Sequence, residues 1–404
     1  MKAFFISLGC PKNLCDTEVL MGKLAASGCE ITTSEKEADI IVVNTCAFLE
    51  SARKESLETI EEMKKLGKKV YVAGCLPKMW GHEETRGGTR EDVEEIESIG
   101  LFDYKTPRIK ATPPWTAYVK IAEGCNNKCT YCLIPMIRGG LRIRKVQDIL
   151  KEVEVLADRG VKEVIFIAQD TTAHFELPRI LKAAARIKGI HWIRIMYAHP
   201  SHINERLIKV MAEEKKICAY LDLPLQHACA KILKGMNRPR PWGHEILDLI
   251  NKIRHSVPGI AIRTSIMVGF PGETDTDFEY LLNFVEKTGF ERLGGFVYSR
   301  ENGTPAAKLR GQVPAIVANQ RFDSLMKLQN LISKERNKKL IGTTFEVLVE
   351  RIEDGLLYGR TYMDAPEIDC SVVIKTRSRI RAGSFVKAKI TGSSAYDLSA
   401  LLVT

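Results

Sequence analysis

Residues 123–138, "EGCNNKCTYCLIPMIR", hold three cysteines within eight positions: Cys125, Cys129 and Cys132. Three thiols in C-x3-C-x2-C spacing suggest a metal or cluster site, because zinc and iron both take thiolate ligands. Most such sites use four ligands, yet no fourth Cys or His lies close by. Structural zinc takes four protein ligands, often as two C-x2-C pairs, and the chain has no second pair. A catalytic zinc with three thiolates and a water satisfies the count. So does a 4Fe–4S cluster with one iron open to a small molecule.

Three further cysteines end apolar runs: Cys10 after "KAFFISLG", Cys46 after "ADIIVVNT" and Cys75 after "KKVYVAG". Each run reads as a strand. Between them, "DTEVLMGKLAASG" and "SARKESLETIEEMKKLG" have helical periodicity and a terminal Gly. This β-α-β-α-β order predicts a parallel, doubly wound sheet with all strands pointing one way. The three thiols then gather at its carboxyl edge, where such sheets bind ligands. Of the 11 cysteines, this leaves Cys15, Cys29, Cys218, Cys229 and Cys370, which read as structural.

The first segment, 1–111, closes after a polar connector that includes "GHEETRGGTR" and "KATPPW". Residues 112–338 again alternate strands and helices. The strands are "AYVKIAEG", "EVIFIAQD", "WIRIMYAHP", "AYLDLPLQH", "AIRTSIMVGF" and "RLGGFVYS"; helices fall near 145–159, 202–214 and 274–288, and a long one near 315–340. Six repeats predict a closed or partly closed, TIM-like (β/α)6 parallel barrel with its functional groups at the strands' carboxyl ends. Those ends carry Gln169, Asp170, His199, Gln226, His227, Gly269, Glu273, Tyr298 and Ser299. His199 and His227 read as supporting residues rather than ligands. From 339 to 404 five short strands alternate with turns, which predicts a small antiparallel, OB-like β-barrel. Such barrels often bind nucleic acid.

The chain has 404 residues, 45% hydrophobic and 27% charged, the composition of a soluble α/β protein of two or three domains. No apolar run reaches the ~18 residues of a membrane span. "MKAFFISLGC" turns polar too soon for a signal peptide. The expectation is a cytoplasmic protein with no membrane partner and with reduced thiols. A net charge of +10 favours an acidic partner, with RNA or the ribosome foremost.

The C-x3-C-x2-C motif after the first barrel strand, with Tyr131 just before Cys132, resembles the radical S-adenosylmethionine (SAM) superfamily. "MVGFPGET" (267–274) is similar to that family's glycine-containing SAM-binding strand end. There the open iron is chelated by the amino and carboxylate groups of SAM. Over nearly its full length the chain resembles the methylthiotransferases. Their order is an N-terminal methylthiotransferase domain with three cluster cysteines, a radical SAM core and a TRAM barrel. "SLGCPKN" (7–13), "AQDTT" (168–172), "LPLQH" (223–227), "FVYSRENGTPA" (296–306) and "DAPEID" (364–369) resemble the branch that modifies an aspartate of ribosomal protein S12. The tRNA-modifying branch typically has a first motif like G-C-Q-M-N. The chain departs from the family in shorter stretches after Cys75 and after Thr172, both beside the expected active-site mouth. Cys370 stands where the family often has Gly.

The resemblance implies two 4Fe–4S clusters, one on Cys10, Cys46 and Cys75 and a catalytic one on Cys125, Cys129 and Cys132. It implies SAM contacts at Tyr131, Gln169, Gly269 and Pro271. The target carbon is unactivated, beyond the reach of a side-chain base, so a cofactor must supply the chemistry. In the implied reaction the barrel cluster cleaves SAM to a 5′-deoxyadenosyl radical, which takes a hydrogen atom from the aspartate β-carbon. The other cluster carries or binds the sulfur, and another SAM methylates it. Implied partners are S12, free or in the small ribosomal subunit, an electron donor such as flavodoxin or ferredoxin, and RNA through the TRAM barrel. The basic run "RGGLRIRK" (138–145) suits either a contact with the ribosome or SAM, or a solvated loop. Two other readings compete: a tRNA (N6-isopentenyladenosine) methylthiotransferase and a zinc-containing RNA-binding protein.

Overall fold

The computed structural model describes residues 1–79, 94–96, 99–376 and 378–403; "GHEETRGGTR" lies outside them. The first segment holds β1 (Lys2–Ser7), α1 (Pro11–Ala26), β2 (Glu30–Thr32), β3 (Ile40–Thr45), α2 (Glu50–Lys64), β4 (Lys69–Gly74) and β5 (Glu94–Glu95). The sheet runs β2-β1-β3-β4-β5, with every pairing parallel. The central strand β3 is buried at every position, as a strand covered on both faces must be. The edge strands β2 and β5, of three and two residues, are too short for any period to register in sequence.

The second segment holds β6 (Thr116–Lys120), β7 (Ala122–Glu123), α3 (Ile134–Arg138), β8 (Arg142–Ile143), α4 (Val146–Asp158), β9 (Glu163–Ile167), α5 (Leu177–Ala184), β10 (Trp192–Ile195) and α6 (Glu205–Glu213). It continues with β11 (Tyr220–Asp222), α7 (Ala230–Gly235), α8 (His244–Ser256), β12 (Ala261–Val268), α9 (Asp275–Thr288), β13 (Arg292–Val297) and α10 (Ala315–Lys338). Strands β6-β9-β10 and β11-β12-β13 form two parallel sheets, joined by a bridge between Ile193 and Ile217. The result is an open parallel barrel of six strands. Alternate residues of each strand serve different cores. Val164, Phe166 and Ile193 pack against Ile149, Val153 and Ile180 of the surrounding helices. Tyr118, Ile165 and Trp192, on the opposite face, join Cys15 and Val19 of α1.

The third segment, β14 (Thr344–Glu353), β15 (Leu356–Arg360), β16 (Val372–Lys375), β17 (Phe385–Ser393) and β18 (Leu398–Leu402), closes into a barrel ordered β14-β15-β16-β18-β17. The pairings are antiparallel except β16–β18, which is parallel. Strict up-and-down alternation cannot close a ring of five, so one parallel contact is a geometric necessity. "DAPEID" docks this barrel on the second segment: Asp364 takes Arg292 at 2.6 Å, and Asp369 accepts from the Tyr220 hydroxyl at 2.7 Å. No helix among the described residues is long and apolar enough to cross a membrane.

Candidate active site

Cys10, Cys46 and Cys75 follow β1, β3 and β4 and share one edge of the sheet. Gly9, at φ +88°, permits the approach: a Cβ there would lie 2.8 Å from Cys46 Cβ. Asn13 braces the loops, donating to the carbonyls of Leu8 (2.9 Å) and Thr45 (2.8 Å). Burial pushes the Cys46 thiol up to about 11, with the Cys75 and Cys10 sulfurs adding to the rise. Burial and Cys10 likewise raise Cys75, against the pull of Arg138. Burial opposes ionisation of Cys10 too, but the Lys12 ammonium, backbone N–H groups and Arg138 together bring it below the ordinary thiol value. The three distant thiols therefore act on one another as near neighbours.

The second triad occupies the loop between β7 and α3. Gly124 turns the chain at φ +79°, where a Cβ would fall 2.2 Å from the Gly140 carbonyl oxygen. Thr130 anchors the loop, donating from N–H to the Met236 carbonyl (3.0 Å) and from Oγ1 to the Gly235 carbonyl (2.9 Å). Burial pushes Cys132 up to about 12, with Cys129 and Cys125 adding to it. Burial also raises Cys125. The Tyr131 hydroxyl accepts from Arg238 Nη1 at 3.2 Å, and that nitrogen lies 4.0 Å from Cys129 Sγ.

Spacing separates a single ion from a cluster. Tetrahedral zinc with Zn–S of about 2.3 Å holds its sulfurs roughly 3.8 Å apart. Among the described residues, the group whose ligand atoms all lie within 4.8 Å of one another is Asp170, His199 and His202. The sulfurs of neither cysteine triad close to that spacing. Neither triad is therefore drawn together tightly enough for one tetrahedral ion.

The other expected residues divide. Gln169 donates from Nε2 to Glu123 at 2.8 Å, while its own Oε1 is buried without a partner. Asp170 accepts from Asn127 (2.9 Å) and Thr172 (2.8 Å) and meets His202 Nδ1 at 2.8 Å. Asp170, Asn127 and His202 line a cleft of about 490 Å³ beside Cys125. Gly269 lies elsewhere in its contacts: a Cβ there would stand 2.5 Å from Ala318 Cβ, so the missing side chain admits α10. Pro271 shares that turn, where Glu273 accepts the N–H groups of Gly269 and Phe270. Burial holds His199 and His227 down to about 3, so both are neutral. Cys15 and Cys218 are buried in the core, and Cys370 is buried as well.

A network that the sequence reading did not single out runs from a barrel strand end to the N-terminal triad. Arg138, at the end of α3, is buried and donates to Cys75 Sγ (3.3 Å), to Asp16 (2.7 Å) and to Asn13. It also lies 3.5 Å from Glu123, which Lys120 approaches at 2.8 Å. Lys120 pairs with Asp16 as well. Contacts thus run Gln169–Glu123–Arg138–Cys75, from a barrel strand end to the N-terminal triad. Arg144, in the same basic run, is buried against Asp148 and Glu152. The available signal was Lys120, a lone charge inside the strand "AYVKIA".

Residues 119–285 match the radical SAM superfamily, residues 2–93 the uncharacterized protein family UPF0004, and residues 341–403 the TRAM domain. The solved radical SAM methyltransferase TsrM from Kitasatospora setae, with cobalamin and a [4Fe-4S] cluster bound, shares the fold. Its TM-score is 0.56 at 14% identity, covering 88% of this chain and 80% of that one. An open parallel barrel with a three-cysteine loop after its first strand, set between a second cysteine domain and a TRAM barrel, defines a radical SAM methylthiotransferase. Curated relatives narrow the class. A protein of Lachnoclostridium phytofermentans is 44% identical, covering 98% of this chain and 99% of its own length. One of Clostridioides difficile is 44% identical, covering 98% of each. Both are named ribosomal protein uS12 methylthiotransferase RimO. The chain belongs to the RimO family.

Proposed function

We propose that this chain methylthiolates the β-carbon of an aspartate in ribosomal protein S12 (uS12), with SAM supplying both radical and methyl group. The observation that carries the reading is the pair of three-thiol sites, one at the edge of the N-terminal sheet and one in the loop between β7 and α3. Cys125, Cys129 and Cys132 would hold the SAM-cleaving 4Fe–4S cluster, and Cys10, Cys46 and Cys75 a second one. When bound, these clusters and SAM supply the homolytic cleavage, hydrogen abstraction and sulfur that no side chain provides. The chain's own residues position and shield. Arg238 fixes Tyr131 beside the barrel triad. Asp170 and Asn127 offer polar groups to SAM in the cleft beside Cys125. Arg138 places a buried positive charge on Cys75, favouring its thiolate.

The setting is cytoplasmic, with electrons from a donor such as flavodoxin or ferredoxin and an RNA contact through the TRAM barrel. Anaerobically reconstituted protein should be brown and carry about eight irons, as two 4Fe–4S clusters require. Given reductant, SAM, uS12 and tRNA, it should place methylthio on the uS12 aspartate, read by peptide mass spectrometry. Product on tRNA alone would favour the tRNA-modifying branch. A colourless protein with stoichiometric zinc would end the radical reading.

A further inference from the structure

Lys12 is 8% exposed, the second residue of α1 and two positions beyond Cys10. Its Nζ lies 3.3 Å from the centroid of the Tyr197 ring. Among the described residues, no carboxylate, carbonyl or hydroxyl pairs with this ammonium. The other charged groups nearby are matched. Lys120 has Asp16 and Glu123, Arg138 has Asp16, and Arg263 has Asp222. An isolated ammonium is costly to bury, and this one acts on the Cys10 thiol while its N–H donors meet no oxygen partner among the described residues.

The ring beneath it is held with equal care. Tyr197 follows β10 at φ +60°, a left-handed conformation unusual for a bulky residue. Its N–H donates to Asp222 Oδ2 (3.0 Å), and its carbonyl accepts from the Thr171 N–H (2.9 Å). Local strain of this kind persists where surrounding contacts impose it, and it concentrates at functional sites. Cys10 is near enough to act electrostatically on Tyr197, and Lys12 on Cys10. The ammonium thus stands between the N-terminal triad and the carboxyl ends of the barrel strands, where the reacting carbon must lie between sulfur and radical.

We propose that Lys12 binds the carboxylate of the substrate aspartate and selects an acidic side chain over an amide or a nucleobase. The proposal rests on the uS12 reading above. The Tyr197 face holds one side of the ammonium by cation–π attraction, and its three N–H donors leave capacity for a charge-assisted bond to the carboxylate. Lys12 belongs to "SLGCPKN" and is the one charged residue in that stretch.

The test compares reconstituted holoenzyme, wild type, Lys12→Gln and Lys12→Arg, on uS12 and on uS12 with the target Asp changed to Asn. Wild type should strongly prefer the Asp substrate. Lys12→Gln should raise KM for it about 10- to 100-fold, the range for loss of one charge-assisted hydrogen bond. It should shrink the Asp-over-Asn preference by a similar factor, and Lys12→Arg should restore part of it. Iron content should stay at the wild-type value in both variants, and Lys12→Arg, which keeps the charge beside Cys10, should also keep the midpoint potential of the N-terminal cluster. Equal use of Asp and Asn by wild type would overturn the proposal without recourse to any variant. So would a Lys12→Gln enzyme that keeps the preference, or that loses iron or shifts the potential with the preference unchanged. If wild type leaves uS12 unmodified altogether, the functional reading itself fails.

Discussion

Arg138 puts one guanidinium nitrogen 3.3 Å from Cys75 Sγ and the other 2.7 Å from Asp16. Replacing it with Leu leaves Asp16 and Glu123 to share Lys120 alone. Breaking a buried pair in this way costs about 3–5 kcal/mol, so Arg138→Leu should lower the urea midpoint of the holoprotein sharply. Arg138→Lys, which keeps charge but loses the fork, should lower it less. His227 sets a pH limit. Its imidazole is held near 3 by burial, against 6.5 for an exposed histidine, and its Nδ1 accepts the Cys229 N–H at 2.9 Å. Between those values the unfolded chain binds more protons than the folded one. The stability due to neutral His227 is therefore complete above 6.5 and drains away as pH falls toward 3. At pH 5 the loss amounts to about 2 kcal/mol. Denaturation at pH 7 and pH 5 should show His227→Gln losing that much less stability between the two.

At the scale of elements, the turn after β12 has no room for a side chain at Gly269. A Cβ there would meet Ala318 of α10 at 2.5 Å, with φ already at +75°. Gly269→Ala should cost about 1–3 kcal/mol and lower the thermal midpoint. The elements themselves were largely legible. Apolar runs ending in Cys10, Cys46 and Cys75 read as parallel strands because both faces of β3 are buried. The short edges β2 and β5 were not, since three or two residues carry no pattern. The basic run 138–145 divides: Arg142 and Lys145 are exposed, as a solvated loop has them, while Arg138 and Arg144 are buried. Its composition is that of a solvated loop, but Arg138 and Arg144 turn inward to acids that are distant in sequence or one helical turn away. Pairing of this kind depends on tertiary placement, so no local period announces it. A glycine at a strand end signals a close approach in sequence, and at Gly269 α10 makes one through Ala318.

Across the whole molecule, buried charge ties the three segments together. Glu163 of β9 takes both Arg194 of β10 and Arg360 of the C-terminal barrel, all three buried. Glu163→Gln should leave both guanidinium groups under-matched, at about 3–5 kcal/mol. Limited proteolysis should then release the C-terminal barrel earlier than in wild type. Glu301 plays the corresponding part at the other end, joining Arg53 at 2.7 Å and the Glu50 N–H at 2.9 Å. The Glu301 contacts fasten α2 of the N-terminal segment to the middle segment. The central claim is that the two triads divide the work, the barrel triad cleaving SAM and the N-terminal triad delivering sulfur. It is tested most directly by changing Cys10, Cys46 and Cys75 together to Ala and assaying the reconstituted protein anaerobically with SAM, reductant and uS12. 5′-Deoxyadenosine should still form, while no methylthio group reaches the uS12 aspartate. Loss of SAM cleavage with the barrel cluster intact, or methylthiolation that persists, would contradict the account.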